Sequence, residues 1–185
     1  MVSVAVLSGK SKRRRGMPSR VRIGAAEADR VLGIGSALDG MVGPIKKRRR
    51  GVGAGGLLIS MASAQLTGQD FLVGMARRRA DTAGQLLEPV ATPAATTTQV
   101  AKRFLPTHFA GIEAGIGVVN TRMLVLVSPA RRQQLLTAAT IDGDTTDVEV
   151  YGSKKQGAVY NYQGQRAYHC HIGFWAEASV SVAAD

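Results

Sequence analysis

The sequence is poor in aromatic residues, which make up 5% of it, and it holds one tryptophan and one cysteine, Cys170. With so few rings, any core must be built from Ala, Val, Leu and Ile. A single cysteine excludes an internal disulfide and suits a reducing compartment, so a cytoplasmic location is expected. No apolar run reaches about 18 residues, so neither a membrane span nor a membrane partner is expected. The apolar opening at residues 2–7 is too short for a secretory signal, and its basic run follows instead of preceding it. Acidic residues are scarce at one end. Residues 1–50 hold 13 Lys/Arg and 3 Asp/Glu, while the remainder hold 11 and 10. The net charge of +11 is therefore an N-terminal property, and a basic arm of this kind points to a polyanionic partner, usually nucleic acid.

What is present begins with those cations. Lys12, Arg13, Arg14 and Arg15 lie in a Gly/Ser-flanked arm, and residues 1–20 are expected to be unstructured. Gly9-Lys10-Ser11 lacks the earlier glycine that a phosphate-binding loop requires. Lys46, Lys47, Arg48, Arg49 and Arg50 form a second run between Pro44 and the glycines at 51, 53, 55 and 56. Its two readings are a solvated loop and a phosphate-contacting loop. No aromatic is interleaved, so contact there would run through the nucleic-acid backbone and depend strongly on salt.

A weak helix is expected within residues 21–42, around 25–32, weakened by Gly24, Gly33, Gly35 and Gly40, and hydrophobic spacing predicts helix over residues 57–79, broken at Gly68. Arg77, Arg78 and Arg79 close the second stretch, either as cations complementing a helix dipole or as a DNA-facing set. A further helix is expected at residues 98–104 with Thr98 as its N-cap. Ile112, Ile116, Val119 and Met123 recur on one face of the best helix in the chain. Gly111, Gly115 and Gly117 within it suggest close packing against a neighbour. Ser128 is expected to cap, and Pro129 to start, a short helix at residues 130–136. From residue 140 the period becomes two, giving one or two strands at 140–151, a polar loop at 152–164 with Lys154, Lys155, Tyr160 and Tyr162, and strands at 166–178 and 179–184.

The first of these strands carries the chemistry. In Ile141-Asp142-Gly143-Asp144-Thr145-Thr146, alternation puts Asp142, Asp144 and Thr146 on one face. Two carboxylates about 7 Å apart on one strand face repel unless a cation or solvent lies between them. A hard divalent ion takes one or two carboxylates together with phosphate oxygens. The stretch is thus either the start of a metal-dependent phosphoryl-transfer site or a polar edge strand with solvated acids.

This strand, with Val150-Tyr151-Gly152, Lys155-Gln156-Gly157 and Tyr162-Gln163-Gly164 after it, resembles DDE transposases of bacterial insertion sequences. Upstream, Gly43-Pro44-Ile45-Lys46, Ala64-Gln65-Leu66 and Phe71-Leu72-Val73-Gly74 are similar to the same group. The resemblance covers roughly residues 38–185. It implies an α+β chain: a helical N-terminal DNA-binding region followed by the first antiparallel strands of an incomplete ribonuclease-H-like core. The expected divisions are a basic arm with weak helix at 1–50, a helical DNA-binding region at 51–137 and a truncated catalytic core at 138–185. The resemblance also implies double-stranded DNA at transposon ends as partner, and Mg²⁺ or Mn²⁺ in full-length relatives for strand transfer. Asp144 is the best candidate for the first acid and first metal ligand, with Asp142 on the same face as the alternative. A helix-turn-helix within the helical region is compatible with this; its recognition helix and the chain's self-association stay open. The family's second Asp and its Glu lie farther downstream. Glu177 and Asp185 fall where the family pattern has no catalytic acid, so a truncated protein unable to catalyse alone is expected.

Two alternatives stand beside this. One is a basic nucleic-acid-binding protein with no catalytic ancestry. The other is a haloacid-dehalogenase-like phosphatase fragment, whose first motif also reads Asp-x-Asp-x-Thr but sits in a parallel sheet. His169-Cys170-His171 is a poor zinc site, because neighbours on a strand point to opposite faces and no second cysteine exists. Trp175 and Phe174 are read as core, and His108 as helix-start filler.

Overall fold

A computed structural model describes residues 17–46, 51–69, 72–152, 154–155 and 157–184. Its architecture is helix followed by antiparallel sheet, an α+β chain in two compact units. One unit ends at Met123 and the other runs from Leu124 onward. The division falls inside the helix that ends at Leu126. The helices on either side of residue 50 pack together.

The first unit opens with α1 (Met17–Leu32) and α2 (Ile34–Val42). Helix thus begins at Met17, earlier than expected, and runs well before residue 25. Gly33 separates the two in the left-handed region (φ 58°), where glycine carries no Cβ penalty. The Asp29 carboxylate then accepts from the Gly35 N–H at 2.8 Å, satisfying one of the orphan donors at the start of α2. α3 (Ala54–Leu66) and α4 (Leu72–Ala80) follow, interrupted near Gly68 (φ 76°) as the sequence predicts. After α5 (Thr82–Gln85) the expected helix at 98–104 is displaced. α6 spans Ala95–Thr98, so Thr98 ends it instead of capping it, and a 3₁₀ segment covers Gln99–Arg103.

α7 (Pro106–Leu126) is the longest helix. His108 is more than filler: its Nδ1 accepts from the Leu105 N–H at 2.8 Å and so closes the first turn. A Cβ at Gly111 would lie 2.5 Å from the Met41 carbonyl oxygen, and one at Gly115 2.9 Å from Leu38 Cδ2. These two glycines are what lets α7 approach α2. Gly117 has nothing within 4 Å and plays no such part. Likewise a Cβ at Gly55 would meet the Gly35 carbonyl oxygen at 2.1 Å, so α3 and α2 touch backbone to backbone. Leu38, Val42, Ile45, Ala54, Leu57, Ile59 and Ile112 form the core at these contacts. Arg122 donates to the Leu32 and Gly33 carbonyls at 2.7 and 2.9 Å. By length and composition α7 is the one helix among the described residues able to cross a membrane, although no apolar run in the sequence announces it.

In the second unit, Ser128 caps α8 (Pro129–Thr137) through the Arg131 N–H at 3.3 Å, with Pro129 at its first position. Four strands follow: β1 (Ile141–Glu149), β2 (Val159–Tyr160), β3 (Arg166–Trp175) and β4 (Val180–Ala184). The polar loop at 152–164 thus hides one short strand. β3 is central. β1 lies along its full length on one side, from Ile141 opposite Trp175 to Glu149 opposite Ala167. β2 and β4 share the other side, one at each end. All pairings are antiparallel. Trp175 and Ala167 are buried, as is Leu135 of α8. Phe174, expected in the core, is 40% exposed.

Candidate acidic strand and nucleic-acid interface

Every residue of β1 is exposed, and no strand pairs with its outer edge among the described residues. The register confirms the shared face of Asp142, Asp144 and Thr146, which stand opposite Phe174, Ile172 and Cys170. Asp144 turns one oxygen back to its own strand, where Oδ1 accepts from the Thr145 N–H at 2.8 Å. No group of three His, Cys, Asp or Glu side chains able to hold a metal occurs among the described residues. Asp142 and Asp144 stand as two exposed carboxylates on one strand face.

The other face carries a cluster that sequence spacing missed. Asp147 sits opposite His169, and its Oδ1 lies 2.7 Å from His169 Nδ1. Its second oxygen accepts from Asn161 Nδ2 at 2.9 Å. His169 and His171 share this face, away from Cys170, as alternation requires. Asp147 orients the His169 ring through Nδ1, and no group of three ligating side chains forms around the two histidines among the described residues. The only sequence signal was the equal parity of Asp147 with the histidines, which means nothing until the register is known.

Glu177, in the turn after β3, clamps the start of β1. Its carboxylate accepts from the Thr140 N–H at 2.9 Å and from the Thr140 hydroxyl at 2.6 Å. Those hydrogen bonds hold its pKa below the ordinary glutamate range. It is a structural acid.

Among the nine cations expected to contact nucleic acid, Lys46 is described; Lys12, Arg13, Arg14, Arg15, Lys47, Arg48, Arg49 and Arg50 lie outside the described residues. Lys46 lines a hollow of about 260 Å³ with Asp39, Pro44 and residues 51–54 at the start of α3. Asp39 Oδ1 accepts from the Gly55 N–H there at 2.7 Å, so this helix end already has a carboxylate of its own chain. The triple arginine divides. Arg77 and Arg79 are exposed, but Arg78 is buried and pairs with the equally buried Glu88. It also donates to the Ser63 carbonyl and hydroxyl at 3.1 and 2.7 Å. Arg22 reaches the same carboxylate at 3.2 Å and Asp81 at 2.6 Å. Arg78 is therefore a core residue and neither a dipole cap nor a DNA contact.

No family model matches the chain, and no curated protein or solved structure matches it either.

Proposed function

We propose that the chain is a duplex-DNA-binding protein of DDE-transposase descent, with Asp144, seconded by Asp142, standing where the first acid of the catalytic core would be. The observation that carries this is the pair of aspartates on one open face of the strand that starts an antiparallel meander, directly after a helical unit. Two features agree with it. The sheet is antiparallel, with β3 between β1 on one side and β2 and β4 on the other, in keeping with the antiparallel strands that the resemblance implies. The cations are concentrated in residues 1–50. The phosphatase alternative fits less well, since that fold needs parallel neighbours for its aspartate strand and β1 has an antiparallel one.

Duplex binding measured against salt tests this. The affinity should fall steeply with salt, by roughly 0.9 log units per log unit of salt for each phosphate neutralised. Alanine substitution of Lys12, Arg13, Arg14 and Arg15 should flatten that slope. These substitutions spare α1 and α2, which a deletion of residues 1–50 would remove from the core. A flat salt titration in the unaltered chain would refute the proposal.

A further inference from the structure

The end of the sheet formed by the β1–β2 loop and the β2–β3 turn carries side chains that neither the acidic strand nor the N-terminal cations employ. Tyr151, Tyr160 and Tyr162 are 78%, 74% and 92% exposed. Three of the four tyrosines in the chain thus fall within one short stretch and leave their rings in water. Among the described residues, ring-to-ring contacts occur only around Phe104, so none of the three is spent on another ring. Lys154 and Lys155 join Tyr151 and Gly152 around a hollow of about 510 Å³.

The display is fixed. Arg166 of β3 donates to the Gly152 carbonyl at 3.1 Å and to the Lys155 carbonyl at 2.8 Å, tying the lysine segment to the sheet. Asn161 Oδ1 accepts from the Gln163 and Gln165 N–H groups at 3.0 and 2.9 Å, and Gly164 takes φ 73° to close the turn that presents Tyr162. The hydroxyls are engaged locally: Tyr162 Oη accepts from Gln163 Nε2 at 3.2 Å, and Tyr151 is hydrogen-bonded to Glu149. Of the nearby acids, Asp147 is held by His169 and Asn161, and Glu149 by Tyr151. What remains available is the exposed ring surface of Tyr160 and Tyr162 on the β2–β3 side, and Lys154 and Lys155 with Tyr151 around the hollow in the β1–β2 loop.

We infer that this end of the sheet binds single-stranded nucleic acid, with bases stacking on Tyr160 and Tyr162 and phosphates meeting Lys154 and Lys155. Every base has a π-face, and aromatic side chains beside cations bind unpaired strands without needing a sequence code. In a duplex those faces are already stacked on neighbouring bases, so the surface discriminates against it. An acidic peptide would use the lysines and leave the rings idle. This surface uses none of the cations of the duplex proposal, and the two fail independently.

Anisotropy of a labelled oligothymidylate, a labelled abasic strand of equal length and a labelled duplex, each titrated with the full chain, tests the inference. The oligothymidylate should bind tighter than the abasic strand, which has the same phosphates and no bases. Tyr162→Ala and Tyr160→Ala should each weaken oligothymidylate binding about tenfold. Tyr162→Phe should keep it, and duplex affinity should not change in any of the three. Equal binding of the abasic strand, unchanged oligothymidylate binding in both alanine variants, or an equal loss on the duplex would overturn it. Circular dichroism of the variants checks the fold, which a residue as exposed as Tyr162 does not support.

Discussion

Acids of one chemical type do four different jobs in this chain. Asp144 and Asp142 are exposed on an open strand face. Asp147 orients a histidine, Asp39 and Asp29 start helices, and Glu88 is buried between two arginines. Removing one partner of such a buried pair leaves an uncompensated charge, a cost of about 3–5 kcal/mol in general. Glu177 offers a cleaner test, because its role depends on pH. Its folded-state pKa is depressed by the hydrogen bonds from Thr140. The stability it contributes is therefore present above the unfolded glutamate pKa and is lost as pH falls through the lowered folded value. Glu177→Gln should destabilise the sheet unit at neutral pH, and its difference from the unaltered chain should vanish in acid. Urea unfolding followed by the fluorescence of Trp175, the only tryptophan, would show it. A difference that persists unchanged below the depressed pKa would mean that the clamp does not act through its charge.

At the scale of elements, periodicity and punctuation carried most of the fold. The 3.6-residue face of α7, the Ser128-Pro129 start of α8, the break at Gly68 and the switch to strands at residue 140 were all readable. What was not readable depended on contacts between distant residues. β2 is two residues long and exists because β3 offers it an edge. Arg78 looked like a helix-end cation because its partner, Glu88, is placed by tertiary folding alone. Of the candidate site, the shared face of Asp142 and Asp144 followed from alternation, whereas Asp147 with His169 needed the cross-strand register. Glycines make the same point. Sequence spacing treats Gly55 and Gly117 alike, yet one faces a backbone carbonyl and the other open space. Gly55→Ala should cost about 1–3 kcal/mol by forcing α2 and α3 apart. Gly117→Ala, in an exposed helix interior, should stabilise by about 0.5–1 kcal/mol. Thermal unfolding followed at the helical circular dichroism band would separate them, and equal effects would contradict the close approach of α2 and α3.

On the scale of the whole molecule, charge and fold are distributed in opposite senses. A chain of net charge +11 holds its cations near one terminus, while its barest structural element, β1, bears four carboxylates: Asp142, Asp144, Asp147 and Glu149. The two proposed nucleic-acid surfaces draw on residues outside β1. One rests on the N-terminal cations and the other on the β1–β2 loop and the β2–β3 turn.

That bare strand also governs how the protein behaves in concentrated solution. An unpaired edge nine residues long is a template for another strand, and charged side chains are what keep such edges from pairing with each other. The aspartates of β1 therefore act as a colloidal guard whether or not they ever touch a metal. Asp142→Asn combined with Asp144→Asn should increase light scattering at high protein concentration, and raising the salt should do the same to the unaltered chain. The substitution best suited to probing the acidic face is thus also the one most apt to turn a dissolved protein into a fibre.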